Sequence, residues 1–241
     1  MEGLYDEIAA FYDPWSRSVT EDVGFYVDEA LASGGPVVEL AVGTGRIAVP
    51  IAKAGIAVIG VDASPGMLAM ARAAAAEADV AQLVDLRLGD LREPPVTERV
   101  PLVICPFRSL LHMETEDEKL RALRAARSLL EPGGSFVFDV FSPNRQDIEE
   151  TDGRWLEREP GIFERADWNE DSRTLTLSVR SDGSVTSFGL HWLSMPEWLR
   201  LLDDAGFAVE AVFGWFDRRP HEGDEDMIFV TRATAIESHE L

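Results

Sequence analysis

Between residues 36 and 141, short apolar runs alternate with stretches that carry helix signals, and this alternation limits the fold more than any other feature of the chain. Runs of this length and composition are typical of buried β-strands. Strands that alternate with helices favour a parallel sheet covered by helices on both faces. The pattern therefore predicts an α/β fold with a doubly wound, mostly parallel seven-stranded sheet. The strands expected in this part are residues 37–40, 57–61, 86–88, 102–106 and 135–141.

The pattern changes after residue 142, where apolar and polar residues alternate with the period of a half-buried strand. Residues 174–179 read TLTLSV, and the following Asp182-Gly183 is typical of a two-residue hairpin turn. Residues 188–192 alternate in the same way on the returning strand, and residues 163–168 have the composition of one more strand. We therefore expect a small antiparallel β insert in addition to the parallel sheet.

The composition narrows the classes of partner. The 241 residues carry a formal net charge of −22, and a surface this acidic repels nucleic-acid phosphates and anionic membranes. Cys105 is the only cysteine, so the chain has no internal disulfide, and no apolar run approaches the roughly 20 residues of a membrane-spanning helix. The opening residues lack the pattern of a signal peptide. We expect a cytoplasmic, bacterial protein with no nucleic-acid or membrane partner.

A glycine-rich turn after the first strand is the most informative motif. The stretch VVELAVGTGR places Gly43 and Gly45 where the backbone can approach a ligand closely. Acidic residues stand at the ends of three successive strands, namely Glu39, Asp62 and Asp90. Because ligands of open α/β sheets bind at the carboxyl edge, these carboxylates should surround one ligand. They suit a positively charged ligand better than a pyrophosphate.

Four blocks in this order resemble the class I methyltransferases that depend on S-adenosylmethionine (SAM), in particular the members that act on small molecules. The blocks are ELAVGTGR, GVDAS followed by Met67, GDL and LLEPGGSFVFDVF. The opening YDEIAAFYD and the later VFGWFDRRP are similar to the same group. The resemblance implies a Rossmann-like methyltransferase fold and SAM as the cofactor.

The resemblance also implies roles for individual residues. Asp62 would hold the ribose of SAM, and Asp90 with Leu91 would flank the adenine. Ala41 stands where the family usually has its first glycine. Alanine is tolerated there if the φ angle is negative, and we expect binding to survive with a slightly different turn. The full set of expected cofactor-binding residues is Glu39, Ala41, Gly43, Gly45, Arg46, Asp62, Ala63, Met67, Gly89, Asp90, Leu91 and Pro106.

The segment after the fourth strand, PFRSLLHM, is where such enzymes present groups to the substrate. His112 is the expected general base because histidine titrates near neutral pH, although a structural role fits it equally well. Tyr12 would contact the substrate or cover the cofactor, and packing of an aromatic side chain is the equal alternative for it. Four histidines and one cysteine without close spacing do not predict a metal site.

The sequence thus predicts a SAM-dependent methyltransferase that modifies a nitrogen or oxygen of a small-molecule acceptor, as a monomer or homodimer. One alternative is an NAD-binding oxidoreductase, although the motif reads GTGRIA and lacks the longer glycine spacing of that class. The other is a non-catalytic SAM-binding module, for which Ala41 is the one sequence argument. The expected division is a helical cap (residues 1–35), a SAM-binding α/β core (36–150), an antiparallel insert over the active site (151–193) and the C-terminal part of the core (194–241).

Overall fold

The computed structural model describes residues 20–234, and its centre is a seven-stranded sheet. Its strands are β1 (Val37–Leu40), β2 (Val58–Asp62), β3 (Val84–Leu88), β4 (Val100–Cys105), β5 (Leu130–Phe141), β10 (Phe207–Phe213) and β11 (Asp226–Ala233). The strand order is β10-β11-β5-β4-β1-β2-β3, and β11 runs antiparallel to both of its neighbours. The predicted mostly parallel sheet is therefore confirmed.

Several of the helices begin at polar capping residues. The Ser64 hydroxyl accepts a hydrogen bond from the Met67 amide, and the Thr115 hydroxyl accepts one from the Glu118 amide. Ser194 and Glu197 form a reciprocal capping box. The helices are α1 (Glu21–Ser33), α2 (Ala48–Lys53), α3 (Pro65–Glu77), α4 (Glu116–Ser128), α5 (Arg145–Thr151) and α6 (Met195–Asp204), with 3-10 turns at Ala81–Leu83 and Ser109–His112.

A second, four-stranded antiparallel sheet follows α5, as the alternating pattern predicts. It is a meander of β6 (Trp155–Glu159), β7 (Ile162–Asn169), β8 (Thr174–Ser181) and β9 (Ser184–His191). The β8–β9 hairpin turns at Asp182-Gly183, where both residues have positive φ angles of 50° and 81°. These angles are those of the expected two-residue hairpin turn. We call this element the small sheet.

Apolar side chains cover both faces of the large sheet, which is what a doubly wound fold requires. On one face Phe25 and Tyr26 of α1 pack with Ile104 and Val137 of the central strands. On the other face Phe138 packs among side chains that also come from the small sheet, including Leu175, Val179 and Leu190. The inner face of the small sheet therefore shares a core with the large sheet.

Candidate active site

A cavity of about 560 Å³ lies between the carboxyl edge of the large sheet and the inner face of the small sheet. Residues that follow β1, β2, β3 and β4 line one side of it, as expected for a ligand site in an open α/β sheet. The small sheet lines the other side with Leu156, Arg158, Glu164, Ala166, Trp168, Leu175, Leu177, Phe188 and Leu190. The volume and the mainly apolar wall are typical of small-molecule sites.

Most of the expected site residues meet at this cavity. Its walls include Ala41, Gly43, Asp62, Ala63, Met67, Gly89, Leu91 and His112. Five others belong to the same strand ends without being part of the wall: Glu39, Gly45, Arg46, Asp90 and Pro106. Tyr12 lies outside the described residues.

The Asp62 carboxylate fixes the glycine turn against the end of β2. One oxygen accepts a hydrogen bond from the Gly43 amide at 2.9 Å, and the other accepts one from the Ser64 amide at 2.9 Å. Each carboxylate oxygen has a second lone pair, so Asp62 can also accept from a ligand in the cavity. This geometry is compatible with the expected contact to a ribose.

Glu39 is a buried acid at the start of the same turn. Its side chain is 2% exposed, and its Oε2 has no hydrogen-bond partner among the residues that the structure describes. Burial raises the pKa of this carboxyl well above its ordinary value, and the Arg46 charge opposes that effect. A buried polar atom without a partner is costly, and an ammonium group nearby would supply the missing partner. The residues present therefore fit a ligand with a positive charge.

Ala41 differs from the expectation. Its φ angle is +58°, in the left-handed region, rather than negative. The turn after β1 requires this conformation, in which a Cβ atom crowds the following carbonyl oxygen. Ala41 therefore adopts the backbone conformation of a glycine and is strained in it.

Two charged residues expected at the cofactor are also bound to other protein groups. The Arg46 guanidinium makes a bidentate ion pair with Asp22 of α1, with both contacts at 2.7 Å, and it stacks over the Phe107 ring at 4.8 Å. Both Asp90 oxygens accept hydrogen bonds from Arg92, at 2.6 to 2.9 Å. Asp90 and Arg92 are two residues apart, so the sequence itself indicates that they can pair. Arg46 and Asp22 are 24 residues apart, and their pairing depends on the tertiary fold. The adenine contact of Asp90 stays a prediction.

His112 lies in the 3-10 turn after β4 and lines the cavity. Its ring packs against Phe188 of the small sheet with 5.5 Å between centroids. Burial, with a smaller contribution from the Lys119 charge, lowers the pKa of His112 to about 4. The imidazole is therefore neutral at pH 7 and can accept a proton, but it is a weak base.

Asp139 is a site residue that the sequence analysis missed. It lies on β5, is 4% exposed and lines the cavity. Its carboxylate accepts hydrogen bonds from the Tyr26 hydroxyl at 2.5 Å and from the Phe107 and Arg108 amides at 2.8 and 3.0 Å. Burial raises the pKa of Asp139 to about 6. An acid inside the apolar run SFVFDVF was the available signal for it.

Lys119 is a second missed residue, and its side chain is fully buried. Its ammonium group donates a hydrogen bond to the Met113 carbonyl oxygen and lies 5.9 Å from the centre of the Trp198 ring. Burial lowers the pKa of Lys119 to about 7. Lys119 therefore fixes the end of the segment that carries His112. Lys119 follows three acidic residues in the first turn of α4, and nothing in this charged sequence indicates that its side chain is buried.

Two further findings concern residues 20–234 as a whole. Within this range, no group of three or more histidine, cysteine, aspartate or glutamate side chains is arranged to hold a metal ion. None of the helices in the same range is long and apolar enough to cross a membrane.

Comparisons with known proteins agree with this geometry. A family model described as "Methyltransferase domain" matches residues 37–134. The putative methyltransferase YqeM of Bacillus subtilis is 27% identical over 58% of this chain, and the match spans about half (53%) of that protein. The solved CcbJ methyltransferase from Streptomyces caelestis is 30% identical, with 96% of this chain and 98% of that chain covered and a TM-score of 0.84.

A third comparison adds a more distant fold relative. The SAM-bound structure of CalS10, an amino pentose methyltransferase from Micromonospora echinaspora, is 21% identical with a TM-score of 0.66, and covers 91% of this chain and 94% of that one. At this identity the likeness concerns the fold alone. The full-length match to CcbJ, the domain match and the geometry of the cavity agree, and the chain belongs to the class I SAM-dependent methyltransferases, whose cofactor is S-adenosylmethionine.

Proposed function

We propose that this protein transfers the methyl group of SAM to an amine nitrogen of a small molecule bound under the small sheet. The observation that carries the proposal is one continuous cavity with two different sides. The side formed by the large sheet has the turn and the carboxylate that suit SAM. The side formed by the small sheet is apolar and aromatic, and is large enough for a second small molecule.

The residues on the first side would divide the cofactor between them. Glu39 and the turn from Ala41 to Gly45 would meet its amino acid part, and Asp62 would accept hydrogen bonds from the ribose. Met67 and Leu91, both buried, would enclose the adenine. When bound, SAM supplies a methyl group on a positively charged sulfur, which is already activated for transfer. Membership of this family removes the NAD-binding alternative.

The chemistry of the second side favours nitrogen over oxygen as the acceptor. A hydroxyl acceptor needs a base to remove its proton, and His112, with a pKa of about 4, is poorly matched to that task at pH 7. An amine attacks in its neutral form without such help. Acidic side chains outnumber the three arginines in the wall of the cavity, among them Glu164 of the small sheet and Glu225 beside β11, and an acidic wall attracts amines. An amino pentose acceptor, as named for CalS10, is the first class to test.

The main task of the protein in this reaction is positioning. The lone pair of the acceptor nitrogen would form a bond to the methyl carbon of bound SAM as the carbon–sulfur bond breaks, and the nitrogen would then lose a proton to water or to a carboxylate of the wall. Holding the two reactants in line accounts for roughly 7–11 kcal/mol of the barrier in well-oriented systems. The small sheet would cover the bound reactants and limit the access of water.

Calorimetric titration with SAM, with its demethylated product S-adenosylhomocysteine and with NADH tests the cofactor side. We expect both adenosyl compounds to bind and NADH not to bind. Asp62→Ala should weaken SAM binding at least tenfold, because the ribose contact and the brace of the glycine turn are both lost. Asp85→Ala, an exposed change on the neighbouring strand β3, is the matched control and should leave affinity unchanged.

A mass-spectrometric methylation screen tests the acceptor side. A panel of amino sugars and other small amines is compared with hydroxyl analogues of the same size. We expect a mass gain of one methylene in the amine set. Methylation confined to the hydroxyl compounds would contradict the choice of nitrogen, and SAM binding without any turnover would favour the non-catalytic alternative.

A further inference from the structure

The segment between β4 and α4 begins with an unusual backbone conformation. Phe107 and Arg108 have φ angles of +59° and +60°, so two successive residues that are not glycine are left-handed. L-residues rarely adopt this conformation because of the crowding at Cβ, and it persists only where the surroundings enforce it. The same segment leads directly into the 3-10 turn Ser109–His112.

One side chain holds both strained residues. One carboxylate oxygen of Asp139 accepts a hydrogen bond from the Phe107 amide at 2.8 Å, and the other accepts one from the Arg108 amide at 3.0 Å. Successive backbone amides that point to one side form a favourable site for an anion, and the anion here is a side chain of β5. The Tyr26 hydroxyl donates a third hydrogen bond to Asp139 at 2.5 Å.

We propose that Asp139 is a positioning residue, which holds the left-handed pair Phe107-Arg108 and thereby places His112 in the cavity. The connection from Arg108 to His112 is short and rigid. The Leu111 amide donates to the Arg108 carbonyl oxygen at 2.9 Å, and Leu111 itself is completely buried. A change at Phe107-Arg108 therefore rotates the turn that carries the imidazole. The inference rests on the proposed function in one respect, namely that the acceptor binds in the part of the cavity that His112 lines.

Titratable groups from several elements surround Asp139. Asp22 and Tyr26 face it from α1, Cys105 from β4, and Arg108 from the loop that follows. Asp139→Asn keeps the shape of the side chain but replaces one oxygen with an amide nitrogen. That nitrogen is a donor, so one of the two backbone amides loses its acceptor. Tyr26→Phe is the matched control, because it removes the third hydrogen bond and leaves both backbone contacts.

The readout is the protonation state of the His112 imidazole, followed by NMR between pH 6.5 and pH 8, which requires neither SAM nor an acceptor. In this range Asp139, whose pKa is about 6, is mostly ionised and can accept from both backbone amides. In the wild-type protein we expect the ring to stay neutral over the whole range, because burial lowers its pKa to about 4. In Asp139→Asn the pKa should move toward 6.5, the ordinary value, so that the ring gains a proton as the pH falls to 6.5. Tyr26→Phe should leave the ring neutral. An unchanged His112 titration in Asp139→Asn would overturn the inference.

A rescue experiment separates positioning from general damage. Arg108→Gly and Arg108→Ala both remove the guanidinium, but only glycine adopts a positive φ angle without strain. Combined with Asp139→Asn, Arg108→Gly should return the His112 pKa toward the wild-type value, and Arg108→Ala should not. Equal behaviour of the two double variants would contradict the inference. If Asp139→Asn alone does not fold, recovery of folding by the glycine change but not by the alanine change supports it, and failure of both overturns it.

The outcome is independent of the proposed function. A failure of methyl transfer or of SAM binding leaves the His112 titration interpretable, because the measurement uses the protein without ligands. Conversely, if the His112 pKa is the same in Asp139→Asn and in the wild-type protein, the proposed cofactor site at Asp62 is unaffected.

Discussion

At the scale of single residues, several side chains sit in positions that cost stability and serve the site. Ala41 is left-handed in the glycine turn, Lys119 is buried with its charge, and Asp139 is buried on β5. Each lies in or next to the cavity or the segment that carries His112. Strained and buried polar groups of this kind concentrate at functional sites, where the surrounding fold enforces them.

Ala41→Gly should stabilise the protein. Relief of the left-handed strain is worth about 1–2 kcal/mol, and the greater freedom of glycine in the unfolded chain offsets about 0.4–1 kcal/mol of that gain. Urea denaturation should show a net increase in the free energy of unfolding. Ala73→Gly, at an exposed position of helix α3, is the control and should lower it by about 1 kcal/mol. A loss of equal size in Ala41→Gly would contradict the assigned strain.

Lys119→Met should change how stability depends on pH. Burial lowers the Lys119 pKa from 10.5 to about 7, so between these values the folded protein holds fewer protons at this group than the unfolded chain. The contribution of Lys119 to the free energy of unfolding therefore rises with pH across that window, by at most about 1.4 kcal/mol per pH unit. The variant lacks this rise.

The measurement is urea denaturation of both proteins from pH 7 to pH 9. The stability of Lys119→Met relative to the wild-type protein should be greatest at pH 7 and decrease toward pH 9. The raised pKa values of Tyr26 and Cys105 affect both proteins alike and cancel in the difference. Lys53→Met, at an exposed position, should follow the wild-type curve. A constant difference for Lys119→Met would show that its charge is not buried.

At the scale of elements, strong period and cap signals were enough to predict most of the fold. The alternation in β8 and β9 and the turn at Asp182-Gly183 predicted the hairpin because one face of each strand is buried and the other is not. Helix α5 and strand β6 were missed. The residues of β6 read WLERE and are mostly exposed, so no apolar period marks them, and pairing with β7 defines this strand.

The element that tertiary contacts fix most clearly is helix α1. Its Asp22 is 1% exposed and binds Arg46 behind the glycine turn, over a separation of 24 residues. Removal of one partner leaves a charge largely buried without compensation. Asp22→Asn should therefore lower the free energy of unfolding by about 3 kcal/mol in urea denaturation.

Glu210→Gln provides the control for that prediction. Glu210 pairs with Arg232, but 40% and 49% of the two side chains are exposed, and ion pairs of this kind add little stability. We expect a nearly unchanged unfolding midpoint. Equal effects of the two substitutions would mean that the Asp22–Arg46 pair does not fix α1 to the turn.

At the scale of the whole molecule, two sheets enclose one site, and the surface carries a large excess of negative charge. The sequence predicted the edge of the large sheet at which the cavity lies, because parallel strands end together and acids mark their ends. It predicted Asp62 in the wall of the cavity and missed Asp139. The pairing of Asp90 with Arg92 and the contact of Tyr26 with Asp139, 113 residues apart, depend on packing that no local pattern encodes.

The net charge of −22 has a consequence for stability as well. Repulsion within the compact state weakens it, and added salt screens that repulsion. The melting temperature should therefore rise as sodium chloride is increased from low to physiological ionic strength, as measured by calorimetry. Sucrose at matched osmolality is the control for effects that do not depend on charge. A melting temperature that falls with salt would indicate that attractive ion pairs dominate.

The central claim is that the cavity between the two sheets holds the adenosyl cofactor at the ends of β1, β2 and β3. A crystal structure of the complex with S-adenosylhomocysteine tests it most directly. We predict the ribose hydroxyls within about 3 Å of the Asp62 carboxylate and the ammonium group beside Glu39, with the sulfur facing the small sheet. A ligand bound elsewhere, or a ribose turned away from Asp62, would contradict this account.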